Sequence, residues 1–159
     1  MKQINGDVSL DESEETERPE ENSESVVVIG ADTVVVHRGH ILEKPKSRED
    51  AFRMISELAG DTHAVYTGVT LMVRQIDGGI LQKTFAEKTE VVVEPMRKEQ
   101  IWKYIDSGEP MDKAGAYGIQ GKFASYIKEI HGDYYNVVGF PLARVVKEAE
   151  DMGIFLLGE

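Results

Sequence analysis

The run VVVIGADTVVV at Val26–Val36 constrains this chain more than any other stretch, because two all-apolar strand halves are joined there by Gly30-Ala31-Asp32-Thr33. Runs of β-branched residues without alternation belong to strands buried on both faces, so the predicted element is a central strand. An ionised carboxylate in such a setting is costly unless a cation, a metal or several hydrogen-bond donors pair with it, which makes Asp32 a candidate site residue. Asp-Thr beside glycine is also ordinary turn chemistry, and from these residues alone the turn reading is the stronger.

The 159 residues fit one domain with a real core, and 41% hydrophobic content is ordinary for a soluble globular protein. There is no cysteine, which rules out a disulfide framework and a thiolate zinc site. His37, His40, His63 and His131 are scattered without metal-ligand spacing and read as surface or hydrogen-bonded residues. Neither a membrane-length apolar stretch nor a signal-peptide pattern is present, so a cytoplasmic protein without a membrane partner is expected. The formal charge of −11 is unevenly placed: nine of the 29 acids fall in residues 1–25, against Lys2 and Arg18. That segment lacks apolar periodicity and is expected to be a disordered acidic tail. The milder charge of the remainder shows no basic stripe, which argues against nucleic acid as a partner, whereas a small phosphorylated ligand needs only one or two lysines.

Along the chain, Gly39 between apolar segments predicts a hairpin that brings Lys44 back beside the opening strand, with Pro45 holding Lys44 extended. Ser47-Arg48-Glu49-Asp50 has the form of a capping box, and the helix it starts should bury Ala51, Phe52, Ile55 and Leu58 and end at Gly60. Thr62–Gln75 reads as a strand with Gly68 as a bulge or close backbone approach. Asp77-Gly78-Gly79 is a hairpin turn, Ile80–Phe85 returns, and Ala86–Pro95 is a further strand. A second helix over Arg97–Ser107 should bury Ile101, Trp102 and Ile105, leaving Tyr104 at the margin. The stretch Gly108–Gly121 packs four glycines, a proline, two acids, a lysine and a glutamine into fourteen residues. It should contribute little to a core, and long glycine-rich loops are where ligand contacts concentrate. It is neither a P-loop nor a dinucleotide fingerprint. Phe123–His131 reads as a strand. Pro141 opens a last helix to about Met152 that should bury Leu142, Val145, Val146 and Ala149.

IGADTVV at Ile29–Val35, EKP at Glu43–Pro45, SGEPMDKAGAYGIQG at Ser107–Gly121 and YNVVGFPL at Tyr135–Leu142 together resemble the Maf family of nucleotide pyrophosphatases, in the family's order and spacing. The resemblance implies an α/β fold related to inosine triphosphate pyrophosphatase, with a curved mixed sheet and flanking helices around a central cleft. It implies hydrolysis of a nucleoside triphosphate to the monophosphate and pyrophosphate with a divalent cation, commonly Mg²⁺. The DKAGAYGIQ form of the long loop is similar to the subgroup acting on dTTP and UTP. By the same resemblance Asp32 falls on the catalytic proton acceptor close to the metal, Thr33 and Gln120 on positions governing substrate choice, and Lys44 on a lysine facing the phosphates. Asp112 and Lys113 lie inside the same loop motif and are expected only to shape or line the cleft. Family members carry an S-x-S-x-R-R segment ahead of this point that has no counterpart in residues 1–25. The expectation is therefore a Maf-like domain over residues 26–159 with a shortened amino-terminal part, impaired activity and an exposed apolar face that favours a homodimer. The alternative is a non-catalytic scaffold or regulatory binding subunit.

Overall fold

The computed structural model describes residues 26–156. The expected acidic tail lies outside them. Five strands form one sheet in the order β2-β1-β3-β4-β5: β1 is Val26–His37, β2 His40–Leu42, β3 Thr62–Arg74, β4 Ile80–Val93 and β5 Ile127–His131. All pairings among the described strands are antiparallel. Helices α1 (Arg48–Leu58), α2 (Lys98–Ile105), α3 (Tyr134–Val138) and α4 (Leu142–Glu150) complete the α/β architecture. None of the described helices is long and apolar enough to cross a membrane.

The turn signals fold as read. Arg38 and Gly39 both take positive φ, 48° and 79°, which is the backbone a two-residue hairpin needs to follow the twist of its strands. Ser47 caps α1 by accepting from Asp50 N at 3.1 Å, and Ala51, Ile55 and Leu58 are fully buried beneath it. Met54 joins them, while Phe52 lies at the edge and stacks on Trp102 with ring centroids 4.7 Å apart.

Several expectations are corrected. β1 is not buried on both faces: Val35 and His37 are buried, but Val26, Val28 and Ile29 are exposed. β2 covers only Val35–His37, so no described strand pairs with Val26–Val34 on the side away from β3. Gly68 makes no bulge, since the register runs unbroken through Asp32 opposite Gly68 and Gly68 opposite Ala86. β4 is likewise one continuous strand from Ile80 to Val93, because Ile80–Val92 pairs with β3 without a break. Lys122–Tyr126 forms a 3-10 turn, and the strand expected from Phe123 starts only at Ile127. In α2 it is Tyr104 that is buried, whereas Trp102 is partly exposed. Leu142 is exposed, because it occupies the outer side of the first turn of α4.

The core has two parts. The larger gathers Val35, Leu42, α1, α2, the ends of β3 and β4, and the long loop's Ala116, Tyr117, Ile119 and Phe123. The glycine-rich stretch therefore does contribute to the core, against expectation, because its short 3-10 turns at Glu109–Asp112 and Ala114–Ala116 fold it back under Val35. A Cβ on Gly115 would lie 3.0 to 3.2 Å from the Val35 side chain, at φ of 69°, so only glycine fits this approach. The smaller part packs Val69 and Leu71 against Val145 and Ala149 of α4, with Ile154 and Leu156 of the apolar tail folded onto it.

Candidate active site

Asp32, Thr33, Lys44 and Gln120 come from three separate stretches and line one cavity of about 650 Å³. β1 supplies the first two at the point where its buried half ends. The β1–β2 hairpin returns Lys44, and Pro45 anchors it by being buried while the lysine itself is exposed. The long loop delivers Gln120 next to the buried Ile119. Gly115 N donates to Glu43 O at 3.1 Å and thereby ties the loop to the segment carrying Lys44. Glu109, Lys113, Tyr117 and Gly139 complete the lining that matters chemically.

Asp32 is exposed, not desolvated in a strand interior, so the cost of burying a carboxylate does not arise and no buried partner is needed. Its Oδ1 accepts from Thr33 N at 3.0 Å, and among the described residues no protein donor occupies Oδ2. Gly68 stands directly across from Asp32, and a Cβ on either Gly68 or Gly30 would meet nothing within 4 Å. Two glycines thus leave open space along the strands that carry the carboxylate.

Thr33 is held by a polar chain that sequence reading did not foresee. Its Oγ1 lies 2.8 Å from Thr67 Oγ1, and the buried Thr67 hydroxyl contacts Asn136 O at 3.1 Å. Asn136 Nδ2 donates to Val65 O at 3.1 Å and to Thr89 Oγ1 at 3.0 Å, and Thr89 donates to Asp133 O at 2.9 Å. Asp133 also caps α3 through Tyr135 N at 2.8 Å. Thr67, Thr89 and Asn136 are completely buried, so their hydrogen bonds fasten α3 to β3 and β4 and place Gly139 O 3.5 Å from Thr33 Oγ1. Thr67 and Thr89 are therefore structural ties behind the cavity. The one available signal was a short polar side chain at inward positions of otherwise apolar strands.

Tyr117 forms part of the cavity wall and is fixed from behind by His63, whose Nε2 lies 2.7 Å from its hydroxyl. Burial raises the Tyr117 hydroxyl far above the ordinary phenol range and lowers His63 to about 4, so both are neutral at physiological pH. Tyr104 is pushed up to about 12 by burial, while its oxygen accepts from Gly118 N at 3.3 Å and steadies the loop. Among the described residues no cluster of three or more His, Cys, Asp or Glu is present. Among the described residues that line the cavity, the carboxylates open to a divalent cation are the exposed Asp32 and, elsewhere on the wall, Glu109. That sparse set suits Mg²⁺, which keeps several waters and is commonly held by one or two carboxylates together with substrate phosphates.

Residues 8–152 match the family model described as Maf-like protein. The dTTP/UTP pyrophosphatase of Agathobacter rectalis is 53% identical over 131 residues, which cover 82% of this chain and 64% of that protein. The dTTP/UTP pyrophosphatase of Lachnoclostridium phytofermentans is 45% identical over 133 residues, covering 84% and 68%. That of Geobacillus sp. (strain WCH70) is 52% identical over 126 residues, covering 79% and 65%. The matched part of the chain thus spans about two thirds of the length of these relatives. On the strength of the family match and these identities, the chain belongs to the Maf-like proteins.

Proposed function

We propose that this chain is a nucleoside triphosphate pyrophosphatase acting on dTTP, UTP or related pyrimidine nucleotides, releasing the nucleoside monophosphate and pyrophosphate. The observation that carries this reading is the convergence of Asp32, Thr33, Lys44 and Gln120 on one cavity, with a volume in the range that takes a nucleotide-sized ligand. The printed names of the relatives support the same reading.

In this reading Asp32 accepts a proton from a water that attacks the α-phosphorus. The bond from that phosphorus to the bridging oxygen breaks, and pyrophosphate leaves. An exposed carboxylate with one oxygen tied to Thr33 N keeps its other oxygen for that proton. Lys44 offsets polyphosphate charge as a point cation. Gln120 presents both a donor and an acceptor to a pyrimidine edge, and Thr33, fixed by Thr67, stands beside the carbonyl of Gly139. Asp32 and the phosphates would hold Mg²⁺, which supplies further charge neutralisation on the polyphosphate when bound.

The test is pyrophosphate release from dTTP and UTP in the presence of Mg²⁺, with GTP and ATP as competing substrates. Turnover of the pyrimidine nucleotides is expected. Rates no higher than those of an Asp32→Asn control would overturn the enzyme reading.

A further inference from the structure

Two charged side chains of the long loop are laid across glycines. A Cβ on Gly118 would fall 2.7 Å from both Cδ and Cε of Lys113, and one on Gly121 would collide with the Glu109 carboxylate. Real Cβ atoms do not approach so closely, so the absence of a side chain at Gly118 is what lets the Lys113 stem lie where it does. Glu109 is fixed in a second way, because Lys122 N donates to its Oε2 at 2.9 Å. Lys113 has no comparable tie at its head. Its Nζ donates to Asp112 Oδ1 at 2.9 Å, and the Asp112 side chain is 77% exposed.

This lysine shares the cavity wall with Lys44. The two segments are joined by the hydrogen bond from Gly115 N to Glu43 O, one residue before Lys44 and two after Lys113. Asp112 lies near both: the Lys113 hydrogen bond holds its carboxyl below the usual range, and the Lys44 charge adds to the effect. An exposed ion pair of neighbouring residues is a weak one, and a polyanion with several oxygens displaces such a partner readily.

We propose that Lys113 is a second polyphosphate-binding residue, seated by Gly118 and exchanging Asp112 for a ligand phosphate oxygen, so that Lys44 and Lys113 grip the polyphosphate from two adjoining segments. The proposal rests on the nucleotide reading above and names residues that hold its phosphates. It gives Gly118 a defined task and makes Asp112 a counter-ion that opposes binding.

Calorimetric titration of the full chain with inorganic pyrophosphate, and with a non-hydrolysable dTTP analogue, each with Mg²⁺, tests it. Lys113→Gln should weaken both ligands by about tenfold, the low end of what a hydrogen bond to a charged group provides. Asp112→Asn should tighten them by about two- to threefold, since it removes a competing exposed carboxylate. Gly118→Ala should weaken binding with Lys113 still present, and Lys128→Gln, on β5 and outside the cavity lining, should change nothing. Thermal melting of each variant reports whether it folds, and the Asp112→Asn arm stands even if Lys113→Gln does not. A Lys113→Gln affinity equal to that of Lys128→Gln, or weaker binding by Asp112→Asn, overturns the proposal while leaving the nucleotide reading intact. Failure of the unaltered chain to bind either ligand overturns both.

Discussion

The two halves of β1 have nearly the same composition and opposite fates. Val28, before the Gly-Ala-Asp-Thr junction, is 57% exposed, whereas Val35, after it, is 4% exposed. Both halves pair with β3 along their whole length, so strand pairing is not the difference. The second half is covered by β2 and the long loop, with Gly115 pressed against Val35. The first half has no described neighbour on its outer side. Apolar character states what a strand is able to bury, and the surrounding chain decides whether it does. Asp32 and Thr33 stand at the boundary. The covered half holds them rigid, and the open half leaves the carboxylate accessible to water and ligand.

The largest effect that sharpens this contrast concerns Asp32. If it serves only chemistry, Asp32→Asn should lower pyrophosphate release by about a hundredfold to ten-thousandfold, the usual contribution of a positioned general base. Its unfolding free energy in urea should stay within about 0.5 kcal/mol of the parent, as expected for an exposed residue. Equal losses of stability and turnover would make Asp32 part of the scaffold of β1.

Next comes the pH response of the covered half. His63, buried against Tyr117, has its folded-state value lowered to about 4 from an ordinary 6.5, first by desolvation and then by the charge of His37. Between these values the unfolded chain binds the extra proton, so stability falls as pH drops from 6.5 toward 4. The loss across that window should reach about 3 kcal/mol, and His63→Gln should flatten it in urea titrations at successive pH values. Asp61, held at about 2 chiefly by its His37 hydrogen bond, titrates below the window. A pH-independent midpoint in the unaltered chain would mean that His63 is not sealed from water. Packing alone gives the third effect: Val35→Ala should cost about 2 kcal/mol, from lost burial and the gap left against Gly115.

Local signals were legible wherever a few adjacent residues settle the conformation. Arg38-Gly39, Ser47 with Asp50, and Asp77-Gly78-Gly79 folded as their chemistry dictates. The candidate residues were nameable because their motifs, though far apart, each retain their own residue pattern, and the fold brings all four to the lining of one cavity. What escaped depends on partners distant in sequence. Nothing around Gly68 reveals that thirteen-residue β3 continues unbroken through it, because the neighbouring strands on both sides hold it flat. Tyr104 and Trp102 are both apolar enough for the inner side of α2. The choice went to Tyr104 because its hydroxyl finds Gly118 N while Trp102 finds Phe52 at the rim. Asn136 enters the sequence reading only as part of YNVVGFPL, and only the approach of α3 to β3 and β4 makes it a buried tie.

The smallest expected effect breaks the comparison most directly. Val28→Thr keeps the β-branched shape and the strand propensity, and removes only apolar character from the open half. With Val28 more than half exposed, the unfolding free energy should move by no more than about 0.5 kcal/mol, several times less than for Val35→Ala. The pair should be measured over a range of protein concentrations. A Val28→Thr loss as large as that of Val35→Ala, present at every concentration, would mean that this half of β1 is covered within the chain in solution. A loss that grows with concentration would mean that a second copy covers it, since association stabilises by mass action only when protomers meet. A negligible loss throughout leaves the two halves as different as their exposures, and leaves Asp32 standing where a rigid strand meets an open one.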